Sequence, residues 1–180
     1  MPALSISAPG DALLGVVAPL GLACAAGTAL MVDVDQFGPR FPGSASLADL
    51  VEAGPRKADL VPQRRGVAIL RNGGIGTDEA GPVLEALIAG WPAVVLRLGE
   101  RAVSFGKVRN VAVHPLLPGL LLPPLGDPVV YQRTSWPVGP PGPGKVLPRP
   151  SRQAVGRLLT GREPGPSRWV SAWREVWEWA

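Results

Sequence analysis

Asp33 and Asp35 are the residues whose type and spacing point most directly to chemistry. They flank Val34 at the end of the apolar run TALMVDVD. Alternate residues of a strand share a face, so both carboxylates point the same way. Two carboxylates on one face can hold a metal, share a proton or pair with cations. Arg40, Arg71 and Arg97 are the guanidiniums placed to pair with them. Asp33, Asp35, Arg71, Asn72 and Arg97 all fall at the carboxyl ends of expected strands, where open α/β sheets bind ligands. They form the candidate ligand-binding set. The competing reading of the same residues is a salt-bridge cluster.

Little else in the chain is arranged for catalysis. There is one histidine, His114, one cysteine, Cys24, and no G-x-S-x-G nucleophile elbow. A lone His and a lone Cys give no metal-ligand spacing, so neither a metal nor a cofactor is expected. Gly73, Gly74 and Gly76 lie in RNGGIGTDEAG ahead of an expected helix and read as a turn, since Asp78 and Glu79 already occupy the first helical turn. Trp169, Trp173 and Trp177 recur at i, i+4 and i+8, one helical stripe. With Arg174 they are the candidate partner-binding residues, because Trp and Arg dominate interface hot spots. The alternative is that the stripe packs back on the domain as a lid.

These groups must be positioned by the elements around them. The apolar runs predict strands over Ala3–Ser7, Ala29–Val34, Gly66–Leu70, Pro92–Leu98, Asn110–His114 and Val129–Thr134. Between them lies a helix over Ala12–Ala26, with Asp11 as N-cap, Gly27 as stop and Pro19 as a kink. A short helix over Leu47–Ala53 is capped by Ser46, and a third, capped by Thr77, runs to Gly90. Alternating strands and helices predict an α/β fold: a mainly parallel sheet with helices on both faces, three layers in all, plus a C-terminal helical extension. Residues 1–136 form the α/β domain. PVGPPGPGKVLPRP, 137–150, reads as an extended Pro/Gly linker. Residues 151–180 hold two short helices, over 151–159 and 167–179.

Residues 12–32 carry no charge and are long enough to cross a bilayer, which offers a membrane-associated protein as one alternative. No Lys or Arg precedes the stretch, and the run changes at Gly27 from helix-type to strand-type residues. A βαβ unit buried on both faces of its sheet accounts for the same pattern.

The order of these elements over roughly residues 3–114 resembles the ParA/MinD family of P-loop ATPases. ALMVDVDQFG followed by SLADLVEA is similar to that family's second strand and the helix after it. GVAILRNGG is similar to the next strand and its loop, and PVLEALIAGWPAVVLRL to the helix and strand of the Walker B motif. The resemblance implies a P-loop/Rossmann-like fold and places Asp33 where the family has a magnesium-network aspartate. It also implies a bacterial, cytoplasmic protein of ATP-dependent dimerisation and of pilus, secretion or division assembly. The chain departs from the pattern at its two charge-bearing motifs. A phosphate-binding loop needs G-x-x-x-x-G-K-[ST]; Ala8–Gly15 has no lysine and has Asp11. The Walker B strand should end in Asp, and here it ends in Arg97. The expectation is a pseudo-ATPase that uses no cofactor and acts through a protein partner, with a homodimer left open. A small-ligand or nucleotide-binding protein using the strand-end acids is the second reading.

Composition limits the remaining classes. At 180 residues and 46% apolar content the chain can bury one real core. The net charge of +4 is spread along the chain without a basic stripe bearing stacking aromatics, which argues against nucleic acid.

Overall fold

The computed structural model describes residues 2–38, 41, 43–99, 105–120 and 128–180. Seven strands form one sheet: β1 (Ala3–Ser7), β2 (Thr28–Asp33), β3 (Gly66–Leu70), β4 (Val94–Arg97), β5 (Arg109–Pro115), β6 (Val129–Gln132) and β7 (Lys145–Leu147), in the order β3-β2-β4-β1-β5-β6-β7. Every pairing is parallel. The helices are α1 (Ala12–Ala26), α2 (Leu47–Ala53), α3 (Thr77–Gly90), α4 (Arg152–Leu159) and α5 (Arg168–Ala172), which runs into a 3₁₀ helix, Trp173–Trp179. The expected α/β architecture, with a parallel sheet between two helical layers, is the one found.

Beyond its first turn α1 is apolar on both sides because both sides are covered. One side packs on Leu4, Ile6, Met31 and Val95 of the sheet, and the other lies under α4, α5 and the 3₁₀ helix. Gly21 makes this second contact possible. A Cβ there would meet Trp173 Nε1 at 2.7 Å and Trp169 Cζ2 at 2.9 Å. Trp169 and Trp173 meet edge to face at 6.0 Å. The Trp177 indole donates to the Leu22 carbonyl at 3.0 Å, and the Trp169 indole to Gln132 Oε1 at 2.7 Å. Among the described residues, no helix is long and apolar enough to cross a membrane. The apolar stretch 12–32 is instead a 15-residue helix, a turn at Gly27 and an interior strand of the sheet.

The opposite face carries α2 and α3, packed over Leu30, Val32, Leu70, Val94 and Leu96. Local signals set the helix ends. Asp11 Oδ1 accepts from Leu14 N at 2.8 Å. Ser46 and Asp49 form a reciprocal capping box, whose hydrogen bonds hold the Asp49 carboxyl below its usual range.

Three expectations need correction. The presumed linker contains β7, a three-residue strand on the sheet edge, tied further by an ion pair between Lys145 and Glu175. So short a strand, with prolines on both sides, leaves no readable period. α3 is capped by Gly76 without a side-chain bond, and Thr77 is its first residue. The last helix is α only to Ala172 and 3₁₀ beyond. Trp177 still reaches α1 from the 3₁₀ segment, half-buried beside the two buried tryptophans.

Candidate functional site

The register of the sheet builds the site. Asp33, the last residue of β2, lies directly beside Arg97, the last residue of β4. Both side chains leave the sheet on the α1 side. Arg97 Nη1 donates to Asp33 Oδ1 at 2.8 Å, and Arg97 Nη2 to Asp35 Oδ2 at 2.8 Å. Arg97 Nε donates to the Gly15 carbonyl of α1 at 3.0 Å. The guanidinium also lies 5.6 Å from the ring centroid of Phe41, within cation–π range. Arg97 and Asp33 are buried, at 4% and 3% exposure, and Asp35 is partly buried. Asp33 further caps its own turn by accepting from Asp35 N at 3.1 Å.

Packing around the cluster is close enough to exclude other groups. A Cβ on Gly99 would come within 2.8 Å of the Asp35 carboxyl carbon, and one on Gly38 would collide with both Asp35 and Arg97. Burial pushes the Asp33 carboxyl above its ordinary range, and the Arg97 guanidinium pulls against that push. Two acids and one buried arginine are consistent with a closed ion-pair network rather than a poised acid or base.

Two of the five candidate ligand residues fall outside this cluster. Arg71 donates to the Ser44 carbonyl, and Asn72 closes its own turn, donating to Ile75 O at 3.1 Å and accepting from Gly74 N at 2.7 Å. The expected convergence of Asp33, Asp35, Arg71, Asn72 and Arg97 is therefore reduced to Asp33, Asp35 and Arg97. Arg40 lies outside the described residues. Sequence reading missed Phe41 and the Gly15 carbonyl as partners of Arg97. The signal for the carbonyl was Pro19, which has no N–H to give to the residue four before it.

The tryptophans are placed differently from the expected interface. Trp169 and Trp173 are buried against α1 of their own chain, at 2% and 0% exposure, so neither is open to a partner. Trp177 is half-buried, and Arg174 stays exposed. Cys24 also packs in the core, and burial pushes its thiol up to about 12, away from any nucleophilic role.

The order of strands, with a central first strand running into a helix and an acid closing the second, decides the fold. The chain has a ParA-like P-loop fold. The crystal structure of a ParA family ATPase from Chlorobium tepidum TLS superposes with a TM-score of 0.66 over 98% of this chain and 97% of that one, at 13% identity. No family model matches the sequence, and no curated protein is detectably similar to it.

A P-loop fold places a nucleotide and magnesium at the carboxyl edge of β1, where this chain has an acidic helix cap and an acid–arginine cluster. The N-terminus of α1, where phosphate would sit, is capped by the Asp11 carboxylate. The Asp33 and Asp35 carboxylates both contact a guanidinium whose charge opposes a divalent cation.

Proposed function

We propose that this protein is a non-catalytic member of the ParA-like fold that acts by binding another protein. The observation that carries the reading is Arg97, seated between Asp33 and Asp35 at the end of β4. A buried pair of this kind is costly to open, because either partner left alone keeps an uncompensated charge. The arrangement supports a site locked shut over one awaiting ligand.

The same end of the sheet supports a protein-binding role. Exposed large apolar side chains gather there. Phe37 follows β2 and is 91% exposed; Leu13 follows β1, Leu117 and Leu120 follow β5, and Trp136 follows β6. Apolar side chains carried on neighbouring loops at one end of a sheet offer a partner an apolar surface. The occupant proposed is a protein component of an assembly of the pilus, secretion or division kind.

Photo-crosslinking in the native cell tests this reading. A crosslinking residue at Phe37 or Trp136 should trap the same single protein species, and one at Lys57, at the amino end of the sheet, should not. Absence of a product at Phe37 and Trp136, or an equal product at Lys57, would overturn it.

A further inference from the structure

The face of the sheet away from Arg97 holds a cavity that the ParA-like reading does not use. It has a volume of about 230 Å³ and lies between the sheet edge at β3 and the loop of residues 58–65. Leu30, Leu50, Leu70, Leu87 and Trp91 wall it, and each is less than 9% exposed. Its polar side chains are confined to the loop: Asp59, Gln63, Arg64 and Arg65.

Two of those four are already engaged. Asp59 Oδ2 accepts from Arg56 N at 2.9 Å and from Arg56 Nε at 3.2 Å. The Gln63 amide donates to the Ala58 carbonyl at 3.0 Å. Arg64 and Arg65 are exposed, and among the described residues neither forms an ion pair. The cavity's side chains are therefore apolar inside and cationic at its mouth.

The loop that closes it is held in place. The Trp91 indole donates to the Asp59 carbonyl at 3.1 Å. Gly90 lets the Leu60 carbonyl approach so closely that any Cβ at position 90 would collide with it. A wall fixed at both points keeps the space open without a ligand, as preformed pockets do.

We propose that this cavity binds a small amphipathic carboxylate, its chain between Leu50, Leu87 and Trp91 and its head on Arg64 and Arg65. The wall side chains are apolar and suit an alkyl chain, while the edge of β3 leaves backbone polar groups along one side. A guanidinium pair receives a planar carboxylate with matched geometry. At about 230 Å³ the cavity has room for a short alkyl chain.

Octanoate is the probe. In calorimetry on the full chain it should bind with a Kd below about 1 mM, and the neutral octanamide at least tenfold more weakly. Arg64→Ala with Arg65→Ala should cost octanoate at least tenfold and leave octanamide unchanged. Both residues are exposed, so the double variant should keep the parent melting temperature. In an amide-proton spectrum, octanoate should shift the Trp91 indole and Ala68. The proposal is overturned by absence of octanoate binding at millimolar concentration, by equal affinity for octanamide, by an undiminished affinity in the double variant, or by shifts that spare Trp91 and Ala68.

Discussion

Arg97 Nε donates to the carbonyl of Gly15 at 3.0 Å, and Gly15 is the residue whose helix donor would have been Pro19. In an α-helix the N–H of residue i bonds the carbonyl of i−4. Proline at 19 has no N–H, so the Gly15 carbonyl is left over inside the core. The arginine that pairs with Asp33 and Asp35 takes up that bond. One side chain thereby completes the ion-pair cluster and repairs the break in α1.

This double role has a measurable signature. Arg97→Leu leaves buried Asp33 and partly buried Asp35 unpaired and one carbonyl unsatisfied, so it should lower stability by about 3–5 kcal/mol. Pro19→Ala supplies the missing helix N–H. In that background Arg97→Leu should cost less, with a coupling of about 1 kcal/mol in a double-mutant cycle. Urea unfolding of the four proteins measures it. Strict additivity would mean that the carbonyl does not depend on Arg97.

Gly21→Leu probes the C-terminal cover. A side chain there strikes the Trp169 and Trp173 rings. Leucine gains up to about 1 kcal/mol of helix propensity over glycine. Overpacking costs about 1–3 kcal/mol and, against two ring systems, outweighs that gain. The expected result is a lower melting temperature with faster protease cleavage after residue 160. Unchanged cleavage would place the tryptophans elsewhere.

His114 sets a pH dependence. It is fully buried on β5, and among the described residues neither ring nitrogen has a hydrogen-bond partner. Burial lowers its pKa from the ordinary 6.5. Below about 6.5 the unfolded chain takes up a proton that the folded chain refuses, so the stability this neutral ring contributes is present above that pH. It is lost as pH falls through the folded value. The melting temperature should drop from pH 7.5 to 5.5, and His114→Leu should flatten that slope. A slope unchanged in His114→Leu would assign it to other groups.

How far these features can be read without a structure depends on whether their cause is local. Asp11, Gly27 and Ser46 mark their helix ends because capping is satisfied within four residues. The pairing of Asp33 with Arg97 was among the readings open from sequence, since both end apolar strands. The strand order sets both β3 and β4 beside β2, so choosing Arg97 over Arg71 required the side-chain geometry, in which Arg71 turns away to the Ser44 carbonyl. β7 was hidden because three residues among prolines show no alternation. The fate of the tryptophans turned on Gly21, about 150 positions away in sequence. No local pattern links a helical glycine to the two rings that rest on it.

The central claim is that Arg97 and Asp11 have closed the nucleotide position of a P-loop fold. Calorimetry with ATP and magnesium on the purified full chain tests it most directly. The account predicts no measurable heat of binding at 1 mM nucleotide, and none on Arg97→Asp, because Asp11 still caps α1 and no lysine is restored. Saturable binding by the parent protein with a micromolar Kd would contradict it.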